Sequence, residues 1–411
     1  MEKKMNRQEI EKIFEIKESW ELPQKAMEML ENDSEKLFRK IMETNPDLKD
    51  DLFRDYYQNT QGDREKLKQD FTPGCLGQVI SEMAGRAKSI ADICAGTGTL
   101  TIKMWQKNTD AFYHAEEMAR SAIPLLLVNL AIRNMDAEVI NGNSLTGDVF
   151  EIYRIRRGRC YGKIERSDCE YRRYDVVVMN PPYSFKWPEV DEYKEDIRFR
   201  WGIPPKNFAD YAFLQHGYSL LKPDGKLYGI VATGILFRGG REKDIRKNMV
   251  DQGKLSAVVA MPEKLFLNTS IPVVIITLTK ESTEEILIID AQQDYTKGAK
   301  QNVIAENDAM KLLQAWNKRE EQERYSRKVK IKEIKENDYN LNVPRYIDKY
   351  IPEKLPPIAE IVKEIQKTEK EIHKTEKELC GMLKQMYGTT NEAQKELDEA
   401  ICMWEEILNG N

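Results

Sequence analysis

Short apolar runs recur through the middle of this chain, each followed by a stretch of helical character, and that rhythm limits the fold more than any other feature. The runs span residues 89–93, 111–115, 138–141, 174–179, 226–232, 257–260 and 273–278. Strand followed by helix, repeated, predicts parallel neighbours, because parallel strands need crossovers long enough to hold a helix. The expected class is therefore α/β, a doubly wound and mostly parallel sheet covered on both faces. Ligands in such sheets gather at the carboxyl ends of the strands. The residues that close these runs are the candidates for chemistry.

The first run closes on Asp92-Ile93-Cys94-Ala95-Gly96-Thr97-Gly98 and passes through Thr99 into a helix. Glycines in such a turn let backbone N–H groups approach a ligand, and the helix N-terminus behind them favours its carboxylate or phosphate. The third glycine of a dinucleotide fingerprint is missing, which argues against a nicotinamide or flavin ligand. Upstream, Phe71-Thr72-Pro73 leads into a helix and offers a hydroxyl. The second run ends at Glu116, a carboxylate placed to accept from two ribose hydroxyls or, more plainly, an acid at the start of the next helix. The third run leads into Gly142-Asn143-Ser144-Leu145, from which Asn143 can reach an adenine edge.

The fourth run, residues 174–179, ends in Asn180-Pro181-Pro182-Tyr183. Two prolines pin the backbone, since each fixes φ and removes an N–H. The Asn180 amide oxygen and the Pro181 carbonyl can then converge on one exocyclic amine, with Tyr183 stacked on the ring that carries it. Two accepted bonds would localise the nitrogen lone pair for attack on an electrophilic methyl. Taken alone, the tetrapeptide reads equally as a proline-rich turn behind a core strand.

In this order and spacing, Phe71-Thr72-Pro73, the Asp92–Gly98 turn, Glu116, Gly142-Asn143-Ser144-Leu145 and Asn180-Pro181-Pro182-Tyr183 resemble the S-adenosylmethionine-dependent amino-methyltransferases. More narrowly, the chain resembles the modification subunit of type I restriction–modification systems, an adenine-N6 DNA methyltransferase. Ile197-Arg198-Phe199-Arg200-Trp201-Gly202, the segment from Asp210 to His216, the segment from Gly234 to Gly240 and the segment from Leu265 to Pro272 carry the narrower likeness. The resemblance spans residues 71–345. It implies a cofactor site of Phe71, Thr72, Pro73, Asp92, Ala95, Gly96, Thr97, Gly98, Glu116 and Asn143, and a catalytic set of Asn180, Pro181, Pro182 and Tyr183. No metal is implied. It also implies DNA as substrate and a separate specificity subunit as reader, with a second modification subunit and a restriction subunit as further partners. Methylation of a protein glutamine, methylation of RNA, and a non-catalytic scaffold on the same fold remain as alternatives.

The chain has 411 residues, and its 64 Lys and Arg are outnumbered by 69 Asp and Glu. Phosphate contacts supply most DNA affinity, so DNA binding here needs a local basic patch or a partner. Arg154, Arg156, Arg157 and Arg159, with Arg172 and Arg173, form the one strong cluster, and it reads either as a patch beside the cleft mouth or as a solvated hairpin. Six cysteines without a CxxC pair and three scattered histidines lack metal-ligand spacing, so His114 and His216 are expected as packing or surface residues. Free cysteines, no leader and no long apolar segment point to the cytoplasm and away from a membrane.

Residues 1–70 read as a charged helical region, with a helix start at Asp33; residues 71–295 form the methyltransferase domain, 296–350 a connector and 351–411 a helical arm. In the arm, Ile358, Ile361, Ile365, Thr368, Ile372, Thr375, Leu379, Met382 and Met386 alternate at spacings of 3 and 4. That is a heptad seam, expected to form a coiled-coil-like contact with a helix of the specificity partner, with a second helix from Asn391 folding back on it.

Overall fold

A computed structural model describes residues 5–60, 70–168, 172–187, 191–349 and 356–410. It separates into two compact units, residues 1–349 and 350–411.

Eleven strands form one sheet in the first unit: β1 (Ser89–Asp92), β2 (Phe112–Glu117), β3 (Asp136–Asn143), β4 (Asp148–Arg156), β5 (Lys163–Arg166), β6 (Tyr174–Met179), β7 (Leu221–Ala232), β8 (Leu255–Ala260), β9 (Val273–Thr279), β10 (Glu285–Asp290) and β11 (Ser326–Lys330). Their order across the sheet is 11-10-8-9-7-6-1-2-3-4-5. The centre is parallel, β3-β2-β1-β6-β7, and β9 runs antiparallel between β7 and β8. The chain reverses direction across the sheet between β1 and β6. Their carboxyl ends therefore open a crevice at a topological switch point. The central strands are buried on both faces, which is why they read as unbroken apolar runs rather than alternating ones.

Helices α1 (Arg7–Phe14), α2 (Leu22–Thr44) and α3 (Arg54–Thr60) precede the sheet. The helix start read at Asp33 is present inside α2: Asp33 leaves the helical region (φ −159°) and its carboxylate caps the N–H of Lys36 at 3.1 Å. Helices α4 (Gly74–Ala84), α5 (Thr99–Lys107), α6 (Ile123–Ile132), α7 (Asp210–Ser219), α8 (Arg241–Asp251), α9 (Glu306–Lys318) and α10 (Ile331–Glu336) follow. The stretch read as a connector is part of this unit: β11 pairs antiparallel with β10, and Trp316 of α9 donates to the Met83 carbonyl at 3.1 Å. Its polar residues concealed an edge strand, for which one buried face suffices.

The second unit is a helical hairpin of α11 (Ile358–Leu383) and α12 (Asn391–Asn409). Trp404 Nε1 donates to the Glu376 carbonyl at 3.3 Å, and Lys384 pairs with Glu405, so α12 folds back as expected. The heptad seam is not consumed by this contact, because Ile365 and Ile372 are each 52% exposed and Met382 is 64% exposed.

Candidate active site

The glycine turn is built by its neighbours. Gly96 and Gly98 have φ of +56° and +103°, and a Cβ on Gly98 would sit 2.9 Å from Leu126 Cδ1. Only glycine meets both demands. Beneath the turn lies Asp51, from the bend between α2 and α3. Its Oδ2 accepts from Thr97 Oγ1 at 2.5 Å and Thr99 Oγ1 at 2.8 Å, and its Oδ1 accepts from Asn129 Nδ2 at 2.8 Å. Lys103 pairs with the adjacent Asp50 at 2.6 Å, so the N-terminal region is fastened to the turn and to α5. Locally Asp51 Oδ1 also accepts from the backbone N–H of Phe53 at 3.0 Å and of Arg54 at 3.1 Å, so the sequence around it signals only a helix start; its partners in the turn and in α6 lie at least 46 residues away.

Asp92, at the end of β1, is buried. Its Oδ2 accepts from Thr101 Oγ1 at 2.8 Å while Oδ1 has no partner. Burial, opposed by that hydrogen bond, pushes its pKa up to about 7. A buried carboxylate with a vacant oxygen suits a cationic ligand, which would restore the charged form.

Two acids close β2 and they do different things. Both oxygens of Glu116 face imidazoles, His114 Nε2 at 2.9 Å and His216 Nε2 at 3.0 Å, and these outweigh burial to hold its pKa well below the carboxylate range. The two histidines are thus neither packing nor surface residues but buried polar partners. Glu117, which the sequence reading passed over, accepts from the backbone N–H of Gly96 at 2.8 Å and of Ala119 at 2.6 Å. Burial raises its pKa against those bonds. Glu117 therefore joins the end of β2 directly to the glycine turn. Asn143 folds onto its own turn, its Oδ1 accepting from the Leu145 N–H at 3.0 Å.

At the end of β6, Asn180 Nδ2 donates to the Asp70 carbonyl at 2.9 Å and its Oδ1 accepts from Tyr183 O–H at 2.6 Å. The Tyr183 ring is buried and stands edge-on to Phe266, with centroids 5.8 Å apart. Burial holds the Tyr183 hydroxyl far above its ordinary pKa, so it remains a donor. Tyr183 is thus bound inward on Asn180, and Phe266 is a second ring the sequence reading did not single out.

One cleft of about 850 Å³, mouth included, gathers much of the expected set: Phe71, Thr72, Asp92, Ala95, Gly96, Glu116, Asn143, Asn180 and Pro182 line it. Phe185 and Phe213 add aromatic wall. Pro73 caps α4, Thr97 is turned to Asp51, Gly98 packs on Leu126, and Pro181 and Tyr183 stand behind the lining. The arginine cluster is elsewhere. Arg154 and Ile155 pair with Glu138 and Ala137, at the opposite end of β3 from the cleft. Arg154 pairs with Asp136, Arg156 with Glu165 at 3.7 Å and Arg157 with Asp110 at 3.1 Å. Arg154, Arg156 and Arg157 thus stand on a hairpin of β4 and β5, the second of the two readings, with ion pairs added, and not beside the mouth. Among the described residues no helix is long and apolar enough to cross a membrane.

Comparison with known proteins gives the family and the fold. The model of the N-6 DNA methylase family matches residues 49–354. The methylase subunit of the type I restriction enzyme MpnII of Mycoplasma pneumoniae is 27% identical over 296 residues, 68% of this chain and 52% of that protein. The methylase subunit of the MjaVIII enzyme of Methanocaldococcus jannaschii is 32% identical over 297 residues, 68% of this chain and 49% of that protein. The structure of the type I restriction-modification system methyltransferase subunit from Streptococcus thermophilus superposes with a TM-score of 0.64 at 28% identity, covering 78% of this chain and 65% of that one. The chain spans about half the length of the curated relatives it matches.

Proposed function

The chain belongs to the N-6 DNA methylase family, and on that premise we propose that it moves a methyl group from S-adenosylmethionine to N6 of adenine in DNA, as the modification subunit of a type I system. One observation carries the reading: Asn180, an amide fixed at the end of β6, lines the same cleft as the glycine turn and its acids. A methyl-donor site and an amine-holding group thus share one space.

The residues present fit such a donor. Bound, S-adenosylmethionine supplies an electrophilic methyl on a sulfonium. The turn after β1 and the α5 N-terminus would receive its carboxylate, and Asp92, whose Oδ1 has no protein partner, would face its positive charge. Glu117, joined to the glycine turn through the Gly96 N–H, would take the ribose hydroxyls, while Glu116 is held by its two imidazoles. Asn143 and Ser144 border the adenine.

A base inside a duplex cannot reach this cleft and must be turned out of the stack. The incoming amine takes the place of the Tyr183 hydroxyl on Asn180 Oδ1, and the Pro181 carbonyl accepts its second proton. Acceptors set in advance toward developing positive charge lower the barrier without reorganising. Released from Asn180, Tyr183 is free to pack on the base beside Phe266.

Sequence reading falls to a specificity subunit. Two observations support this: the net charge of −5, and the exposed apolar seam of α11. That seam is the docking surface we assign to the partner. The test is modified-base sequencing of host DNA from wild type, a gene deletion and an Asn180→Ala strain. Loss of N6-methyladenine from one split site in both mutants supports the reading. An unchanged adenine methylome refutes it and turns attention to protein glutamine, RNA or a scaffold. Removing residues 351–411 should abolish co-purification with the specificity partner, and retained co-purification would refute the docking assignment.

A further inference from the structure

Ile197-Arg198-Phe199-Arg200-Trp201-Gly202 marks the family likeness without any evident chemistry, yet it carries a side chain that links the two halves of the cleft. Arg198 stands in the insertion that follows Asn-Pro-Pro-Tyr. Its guanidinium uses every donor it has. Nε donates to Asp196 Oδ2 at 2.8 Å, and Nη1 donates to the Ser144 carbonyl at 3.0 Å and His216 Nδ1 at 3.3 Å. Nη2 donates to the Leu145 carbonyl at 3.1 Å and lies 2.6 Å from Asp196 Oδ2. The side chain is only 16% exposed.

The bonds continue beyond it. Because a guanidinium only donates, His216 Nδ1 must accept, which leaves the imidazole proton on Nε2, facing Glu116 Oε2 at 3.0 Å. Glu116 Oε1 meets His114 Nε2 at 2.9 Å, and His114 Nδ1 meets Glu138 at 3.1 Å. One polar chain therefore runs from the insertion through α7 to β2 and β3. Its branch to Ser144 and Leu145 holds the turn that carries Asn143, and Ser144 Oγ in turn donates to the Ile93 carbonyl at 3.2 Å, beside the glycine turn. The far end of the insertion is pinned separately: Trp201 is buried, its N–H donates to Gln215 at 2.9 Å and its Nε1 to Gln252 at 3.0 Å. Between these ends Phe199 is buried against Trp187 and Tyr193, and Arg198 is the side chain that ties the segment to the Asn143–Leu145 turn.

We propose that Arg198 is a positioning residue that sets the Asn143–Leu145 turn for the cofactor and couples cofactor occupancy to order in the insertion flanking the target base. This rests on the functional reading above. Cofactor against the turn favours the state in which Ser144 and Leu145 present their carbonyls to Arg198, and an ordered insertion raises cofactor affinity by the same factor. Lysine cannot substitute. It keeps the charge but has three donors on one nitrogen, whereas the site needs a planar fork reaching carbonyls, an imidazole and a carboxylate.

The test is amide hydrogen exchange on the full chain with and without S-adenosylhomocysteine, read beside calorimetric binding, for wild type, Arg198→Lys and His216→Gln. The reporting amides are those of Arg198, Phe199, Trp201 and Gly202, all hydrogen-bonded. In wild type the ligand should slow their exchange at least about fivefold, the lower end of typical couplings. Arg198→Lys should bind about tenfold more weakly and lose that protection while remaining folded without ligand, with a lowered but still cooperative melting transition. His216→Gln, which leaves Arg198 in place, should keep part of the protection. A wild type that binds but shows no protection, or an Arg198→Lys protein that matches it in both readouts, overturns the inference alone. A wild type that binds no ligand overturns the functional reading and the inference with it.

Discussion

Replacing Asp51 with alanine removes the one acceptor on which three donors of the glycine turn and α6 converge. Thr97 and Asn129 are fully buried and Thr99 is 6% exposed, so water cannot easily take the place of the carboxylate. Asn129 Nδ2 retains a second bond, to the Thr97 carbonyl at 2.8 Å, which reduces its loss. Hydrogen bonds to a charged group contribute about 1.5–3 kcal/mol each, and leaving a buried donor unpaired costs about 1–3 kcal/mol. With one of the three donors partly compensated, the expected destabilisation is about 3–5 kcal/mol, a large fraction of a typical domain's stability. Asp51→Asn keeps the Asn129 bond or the threonine bonds but not all three, and should cost about 1–2 kcal/mol. The assay is urea unfolding at fixed protein concentration, paired with calorimetric titration of S-adenosylhomocysteine. Asp51→Asn should remain folded yet bind about tenfold more weakly, because the turn loses its support. If Asp51→Ala unfolds within about 1 kcal/mol of wild type and binds the ligand equally well, the N-terminal region is not what shapes the turn.

Three further outcomes follow from the geometry. Glu117→Gln should weaken S-adenosylhomocysteine binding by about tenfold or more, about 1.4 kcal/mol, whereas Glu116→Gln should act chiefly on stability; titration calorimetry of both variants distinguishes them, and the reverse order would return the ribose role to Glu116. Gly98→Ala forces a Cβ to 2.9 Å from Leu126 at a φ of +103°, so about 1–3 kcal/mol of stability should be lost, visible as a lower urea midpoint; an unchanged midpoint would mean the turn is less constrained than its backbone indicates. Burial opposes protonation of His114, but its bonds to Glu116 and Glu138 win and raise its pKa from 6.5 to about 9. A folded-state pKa above the unfolded one adds stability that is complete below about pH 6.5 and is lost as pH rises through about 9. That gap corresponds to about 3 kcal/mol, and His114→Gln should flatten the decline in a series of urea curves between these limits.

Several elements were legible in the chain because their causes are local. A strand buried on both faces has to be apolar throughout, so β1, β6, β8 and β9 announced themselves. Gly96 and Gly98 answer a backbone geometry that no other residue meets, and the paired prolines after Asn180 stiffen the chain wherever they stand. From that alone came the parallel sheet, the turn at the end of β1 and the amide at the end of β6. Strand ends were less legible: β2 runs one residue past Glu116, and this decides which acid faces the turn.

What tertiary structure decided is who partners whom. Glu116 and Glu117 are adjacent and chemically alike. They part roles because successive strand residues point to opposite faces, and only the fold places two imidazoles on one face and the Gly96 N–H on the other. Asp51 meets the turn across 46 residues, and Asn180 meets the Asp70 carbonyl across 110. The arginine cluster could be read as a patch beside the cleft or as a hairpin, and it was β4 that carried Arg154, Arg156 and Arg157 to the far end of β3 and gave them acidic partners. Periodicity and turn chemistry act over a few residues and are written in the order of the chain. A hydrogen bond is satisfied by whatever the fold brings within about 3 Å, and that is settled only when the sheet has closed around it.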